Sequence, residues 1–330
     1  MLKKYQTETY WKKYQRFFPL RAHVTSENAP DEEWFEWHGA SIHIDRYPCR
    51  EAPLTIIVVH GGGGYGRLFA PVGLLLRKAG YEVVAPDLPG YGLSKNDSSM
   101  VRYDVWIRML SDLVASEYKR NGRRIVLCGG SLGGYLAYLS AAQLDSESIA
   151  GIIATTLVDP RLRLAKEQFA KNSLVLHGMM PLMPLFAKLA GNLKLPIKWF
   201  TKMGAMSNNP ELSQLVAEDP FGGGVWVPVS FMQSIFSVRP AIEPENFDIC
   251  PVLLAHPAAD RWTSIESSRT FFDRIKGDKT LVLLEKCGHF PVEEPGISQL
   301  EHAAIAFLAK IADNSGGQQK NSDSKGAAGC

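Results

Sequence analysis

Three residues far apart in a 330-residue chain, Ser131, Asp260 and His289, have the side-chain types needed for acyl transfer. A serine hydroxyl is a weak nucleophile until a base takes its proton. A neutral histidine is such a base when a carboxylate fixes its tautomer and stabilises the imidazolium that forms. Ser131 sits in Gly129-Gly130-Ser131-Leu132-Gly133, between a strand predicted over 123–129 and a helical pattern from Leu132. A strand-to-helix turn this sharp strains the backbone of its serine, small neighbours relieve the crowding, and the helix N-terminus favours developing negative charge. Taken alone, the pentapeptide also reads as a glycine-rich turn whose serine caps a helix. Downstream, the strand-like run 251–256 leads into Asp260, and 280–286 leads into Cys287-Gly288-His289. Both partners thus follow strands, in the order serine, acid, histidine, at the sheet edge where open parallel sheets build their sites. Asp159 also ends a strand and is the rival acid. Its other reading is a helix cap, with Pro160 in the first turn.

The second feature is His60-Gly61-Gly62-Gly63-Gly64-Tyr65-Gly66. Gly61, Gly63 and Gly66 satisfy G-x-G-x-x-G, a helix follows, and Asp87 lies at the distance of a ribose-binding acid. A dinucleotide site built this way leaves Ser131, Asp260 and His289 unexplained, and Asp87 runs straight into a turn, Leu-Pro-Gly-Tyr-Gly, that suits a structural role. In the acyl-transfer reading the glycines bring the backbone close to Ser131. An N–H, best assigned to Gly62 with Gly61 and Gly63 as neighbours, joins that of Leu132 in an oxyanion hole.

Positioning these groups requires a particular order of elements. Alternation across His38-Gly39-Ala40 predicts an antiparallel hairpin at 34–37 and 41–47. Strands then alternate with helices: 54–60, 81–88, 123–129 and 149–158 as strands, with helical periodicity at 68–80, 103–121 and 132–144. The pattern resumes at 251–256, 264–276, 280–286 and 296–312. Such spacing implies parallel βαβ units in a sheet covered on both faces. From Pro160 to about Asp248 the alternation stops in favour of Met, Leu, Phe and Trp broken by prolines, which reads as a helical insertion. The expected organisation is an α/β core over 1–159 and 250–312, a helical cap over 160–249, and a disordered tail over 313–330.

Bulk properties narrow the class. Hydrophobic residues make up 45% and charged residues 21%, and the net charge is +2, which gives no bulk reason for a nucleic-acid partner. The five cysteines, at 49, 128, 250, 287 and 330, are scattered without metal or disulfide spacing and read as free thiols in a cytoplasmic setting. No apolar window is long enough for an integral span. The basic aromatic N-terminus (Tyr10, Trp11, Tyr14, Phe17, Phe18) could touch a membrane surface weakly, and docking on the protein's own core is the plainer reading.

Together HGGGGYG, DLPGYGLS, GGSLGG, AAD and GHFPVEEP make the chain resemble the α/β-hydrolase superfamily over nearly all its length apart from cap and tail. The resemblance implies a mostly parallel, doubly wound sheet with a cap. It puts the nucleophile on Ser131, the acid on Asp260, the base on His289 and oxyanion donors on Gly62 and Leu132. It implies neither cofactor nor metal. Haloalkane dehalogenases and epoxide hydrolases in the superfamily carry an aspartate nucleophile, whereas this chain has serine. Monoacylglycerol lipases, lysophospholipases and carboxylesterases are the most similar, so a small acyl ester with a medium or long chain is the expected substrate. The alternatives are a proline iminopeptidase-like aminopeptidase, with Glu211 and Glu218 available to hold an amino group, and a nucleotide-binding oxidoreductase using the Gly61–Gly66 loop.

Overall fold

His38 and Gly39 both have positive φ, 45° and 84°. Those two residues therefore form a tight hairpin turn whose twist matches the strands it joins, β1 (Asp31–Trp37) and β2 (Ala40–Tyr47). The computed structural model describes residues 2–326, with side chains as far as Asp313. The following strands, β3 (Thr55–Val59), β4 (Glu82–Pro86), β5 (Ile125–Gly129) and β6 (Ile149–Ala154), are fully buried five- or six-residue runs. A short ribbon, β7 (Lys194–Pro196) and β8 (Trp226–Pro228), lies within the insertion, and β9 (Val252–Pro257) and β10 (Lys279–Leu284) complete the main sheet. That sheet has eight strands in the order β1-β2-β4-β3-β5-β6-β9-β10. The first two pairings in that order are antiparallel and the others parallel.

Helices cover both faces, as β-strand alternation requires. Ile56 and Val58 of β3 pack with Leu74 and Leu76 of α1 (Ala70–Lys78) and with Phe307 and Leu308 of the last helix. Ile57 and Val59 face the opposite way, into a core with Trp106 and Leu110 of α2 (Tyr103–Asn121) and Leu136 of α3 (Leu132–Ala141). The chain runs from β3 outward to β4 and then crosses back to β5. The order therefore reverses between β3 and β5, and a crevice opens at their C-terminal ends.

Between β6 and β9 the insertion carries α4 (Arg163–Phe169), a single π turn (Val175–Met179), α5 (Met180–Ala190), α6 (Pro210–Glu218) and α7 (Val229–Ser237). Sequence reading anticipates its helices but not its antiparallel β7–β8 ribbon. Each of those strands has only three residues, too short for periodicity to show. After β9, α8 (Ile265–Phe272) leads to β10 and α9 (Gly296–Gly326). Helical backbone thus enters the 313–330 stretch that composition marks as a disordered tail. Extending a helix needs no new nucleation. Residues 327–330 lie outside the described ones.

The N-terminal aromatics dock inward. Trp11, Tyr14 and Phe18 are buried, and the Tyr14 hydroxyl donates to Asp219 Oδ2 at 2.8 Å.

Candidate active site

The turn after β5 puts Ser131 at φ 55°, ψ −128°, a conformation that a non-glycine residue holds only when its surroundings force it. Space is the forcing agent. A Cβ on Gly129 would lie 2.1 Å from the Gly133 carbonyl oxygen, and one on Gly133 would lie 2.3 Å from the Val59 carbonyl oxygen. The pentapeptide is therefore compact enough for β3 to pass beside it, and the Ser131 side chain projects from the first turn of α3.

His289 reaches that side chain from the loop after β10. Its Nε2 is 2.8 Å from Ser131 Oγ, and its Nδ1 is 2.7 Å from Asp260 Oδ2. Asp260 follows β9, and its Oδ1 accepts the N–H groups of Trp262 at 2.7 Å and Thr263 at 3.0 Å. Burial opposes ionisation of this carboxylate, which is only 1% exposed. The facing His289 and the two N–H donors more than offset burial and hold its pKa below the ordinary value. The Trp262 ring lies over the imidazole, with centroids 4.9 Å apart and planes 33° apart. Three side chains spread over the chain thus form one hydrogen-bonded line able to pass a proton from hydroxyl to imidazole.

The glycine loop after β3 faces this line. A Cβ on Gly61 would meet Ser131 Cβ at 2.9 Å and Leu132 N at 3.0 Å, so backbone packs directly on the serine turn. Gly62 and Leu132 both border the space next to Ser131. His60, which sequence reading treats only as the loop's first residue, braces it. The ring lies 2.8 Å from the Gly61 carbonyl through Nδ1, and its Nε2 accepts the Leu88 N–H at 2.9 Å. That pairing requires the proton on Nδ1, and burial pushes the His60 pKa down to about 4, so the ring is neutral.

Two cavities meet at Ser131. One, of about 630 Å³ counting the space open to solvent, is bounded by Leu132, Val158, Phe169, Ile197, Met203 and Trp262. The other, of about 460 Å³ on the same measure, is bounded by Leu68, Phe69, Met206, Val216, His289 and Phe290. Among the described residues, no acidic side chain lines either. Five of these residues, Phe169, Ile197, Met203, Met206 and Val216, come from the insertion.

The remaining candidates lie elsewhere. Asp159 accepts the Arg161 backbone N–H at 2.9 Å and pairs with the Arg161 guanidinium at 2.6 Å, as a cap would. Asp87 is fully buried. Its oxygens accept the Gly66 and Leu93 N–H groups and the Tyr5 hydroxyl, each at 2.7 Å, which leaves no face for a ribose. Glu211 is exposed and pairs with Arg16 at 3.3 Å, and Glu218 accepts Gln214. Glu32, His43 and Asp45 converge as metal ligands do. Arg67 already donates to Asp45 at 2.7 Å and sits 3.7 Å from Glu32, so a guanidinium fills the place of a cation. Sequence reading also misses Glu293, which accepts Ser207 Oγ at 2.7 Å and the Gly288 N–H at 3.1 Å. It joins the insertion to the loop that carries His289, and only its place in GHFPVEEP hints at such a role.

A family described as serine aminopeptidase, S33, matches residues 50–296. The chain belongs to this α/β-hydrolase family. The S33 match spans the glycine loop, Ser131, Asp260 and His289. The chain is 24% identical over 243 residues to an abhydrolase domain-containing protein of Dictyostelium discoideum, covering 71% of the chain and 24% of that relative. The chain therefore spans about a quarter of that protein's length. Among solved structures, a monoacylglycerol lipase of Paleococcus ferrophilus superposes with a TM-score of 0.66 at 23% identity, covering 82% of this chain and 99% of the other. A soluble variant of the monoglyceride lipase of Saccharomyces cerevisiae gives 0.72 at 18% identity, covering 89% and 98%. At these identities the likeness is one of fold, and it fixes the α/β-hydrolase architecture.

Proposed function

We propose that this hydrolase cleaves carboxylic esters through an acyl-enzyme on Ser131. The observation that carries the reading is the line Ser131 Oγ, His289 and Asp260, joined at 2.8 and 2.7 Å and opening onto two largely apolar cavities. Ser131 Oγ attacks the acyl carbonyl while His289 Nε2 takes its proton. Asp260 stabilises the imidazolium, and the N–H groups of Gly62 and Leu132 hold the oxyanion. His289 then protonates the departing alkoxide as the tetrahedral intermediate collapses. A water molecule, deprotonated by His289, hydrolyses the acyl-enzyme and restores the serine.

His289 borders the smaller cavity, so the leaving alcohol belongs there and the acyl chain belongs in the larger one. The apolar walls of the larger space, among them Leu132, Val158, Phe169, Ile197 and Met203, suit an aliphatic acyl chain, and a medium or long one is proposed. The named lipases among similar folds support the same substrate class. The family description raises an aminopeptidase reading, but a free amino group needs a carboxylate, and Glu211 and Glu218 face solvent on α6. The free thiols of Cys49, Cys128, Cys250 and Cys287 support a cytoplasmic setting for the proposed enzyme.

Fluorophosphonate labelling tests the assignment. Wild type is expected to label and Ser131→Ala to lose both labelling and turnover, by roughly five to six orders of magnitude in kcat. Labelling that survives the substitution would remove Ser131 from its role. A chain-length series of nitrophenyl esters tests the substrate, with activity expected to rise toward medium and long acyl groups. Cleavage of proline anilides in preference to esters would favour the aminopeptidase instead.

A further inference from the structure

Helix α5 breaks the rule that surface helices turn polar residues outward. Only Met183 is buried, against α7, while Leu182, Leu185, Phe186 and Leu189 are 50%, 56%, 53% and 75% exposed. The apolar surface continues along the chain through Leu193, 56% exposed, to Trp199 and Trp226, whose rings pair at 6.3 Å with more than half of each in solvent. An exposed apolar run of this kind marks an interaction surface. The surrounding charge identifies what it meets. From Gln168 to Pro210 the chain holds Lys171, Lys188, Lys194, Lys198 and Lys202 and no Asp or Glu. Lys188, Lys194 and Lys198 stand exposed within the apolar run, and Asp97 from the core lies close enough to Lys194 to feel its charge. Leucine and phenylalanine flanked by lysine, with paired tryptophans at the margin, suit an anionic bilayer surface: rings at the headgroup level, aliphatic chains just below, ammonium groups on phosphates.

We propose that the outer face of the insertion, formed by α5 and the Trp199–Trp226 pair, binds the surface of an anionic lipid bilayer. The surface connects to the site through one short turn. Ile197–Trp199 presents Lys198 and Trp199 outward, while Ile197 forms part of the wall of the larger cavity beside Ser131. Lipid held at the patch is thus separated from the acyl cavity by that turn, and this consequence, unlike binding itself, rests on the ester reading. The N-terminal aromatics do not contribute, since Trp11, Tyr14 and Phe18 are buried.

Flotation of the full chain with phosphatidylcholine vesicles, with and without phosphatidylserine, tests the proposal, using Ser131→Ala so that no turnover intervenes. Binding is expected to the anionic vesicles and to fall as salt rises. The triple variant Leu185→Glu/Phe186→Glu/Leu189→Glu is expected to weaken binding by at least roughly tenfold, and Lys188→Glu/Lys198→Glu by a similar factor. Unchanged thermal melts for both variants, and unchanged hydrolysis of a soluble short-chain ester in the Ser131 background, would show that neither fold nor site is disturbed. Absence of flotation with anionic vesicles would overturn the proposal, as would flotation that survives both sets of substitutions. A dimer by size exclusion that the triple variant converts to monomer, without vesicle binding, would assign the patch to a second copy of the chain. Loss of esterase activity in the wild type would count against the ester reading alone.

Discussion

At Asp260, burial and charge pull in opposite directions. A carboxylate this enclosed resists ionisation, yet His289 and the N–H groups of Trp262 and Thr263 hold its pKa below the usual range. In the proposed mechanism that charge does two things: it keeps the His289 proton on Nδ1, leaving Nε2 free to accept from Ser131, and it stabilises the imidazolium. Asp260→Asn preserves the shape and removes both. The substituted amide also presents an N–H toward the ring, which favours the wrong tautomer. The expected outcome is a fall in kcat of about four orders of magnitude with an unchanged circular dichroism spectrum, measured on the best nitrophenyl ester. Full activity in this variant would mean that another acid orients the ring.

Among the elements, the insertion is latched to the two loops that carry the acid and the base. Phe290 N donates to Met206 O at 2.7 Å, Arg261 donates to Ser207 O at 2.9 Å, and Glu293 accepts from both Ser207 and Gly288. The His289 loop is therefore held from the insertion side as well as from its own strand. Glu293→Ala leaves the Ser207 hydroxyl and the Gly288 N–H without their acceptor, at a cost of about 1–3 kcal/mol. Urea unfolding should show that loss. Because a loosened loop misplaces His289 relative to Ser131, kcat is expected to fall by roughly tenfold with little change in KM. A variant with wild-type stability and kcat would show that the latch does not position the base.

Across the whole molecule, a buried ionic cluster ties the N-terminal segment to the sheet. His43 Nε2 lies 2.9 Å from Glu32 and its Nδ1 lies 3.4 Å from Asp87, while Tyr5 donates to Asp87 and Arg67 to Asp45. Burial disfavours a charged His43, but Asp87, Glu32 and Asp45 outweigh it and raise its pKa from 6.5 to about 9. A folded-state pKa above the unfolded one means protonation favours the fold. That stabilisation is complete below pH 6.5 and is lost as pH rises through about 9. Stability is expected to decline over this window by up to roughly 3 kcal/mol. His43→Gln should be less stable at pH 6 and show a flatter decline, as read by denaturation at a series of pH values. An equally steep decline in the variant would assign the pH dependence to other groups.

The arrangement around Ser131 was legible because its constraints are local. A strand-to-helix turn needs glycines within a few positions of the serine, apolar strands and amphipathic helices announce themselves by period, and chain order places Asp260 and His289 after the right strands. The same locality separates Asp159, which caps its own turn, from Asp260. Only the folded chain could decide what depends on distant neighbours. The bracing of the glycine loop by His60, the latch through Glu293 and the burial of Asp87 under Tyr5 each join segments tens of positions apart, and no periodicity records such contacts. The insertion shows the limit most clearly. Its apolar residues read alike in sequence, but burial divides them: Phe169, Ile197 and Met203 line the cavity, while Leu185, Phe186 and Leu189 face solvent. Hydrophobicity belongs to a side chain, but which side of a wall it faces is a property of the fold.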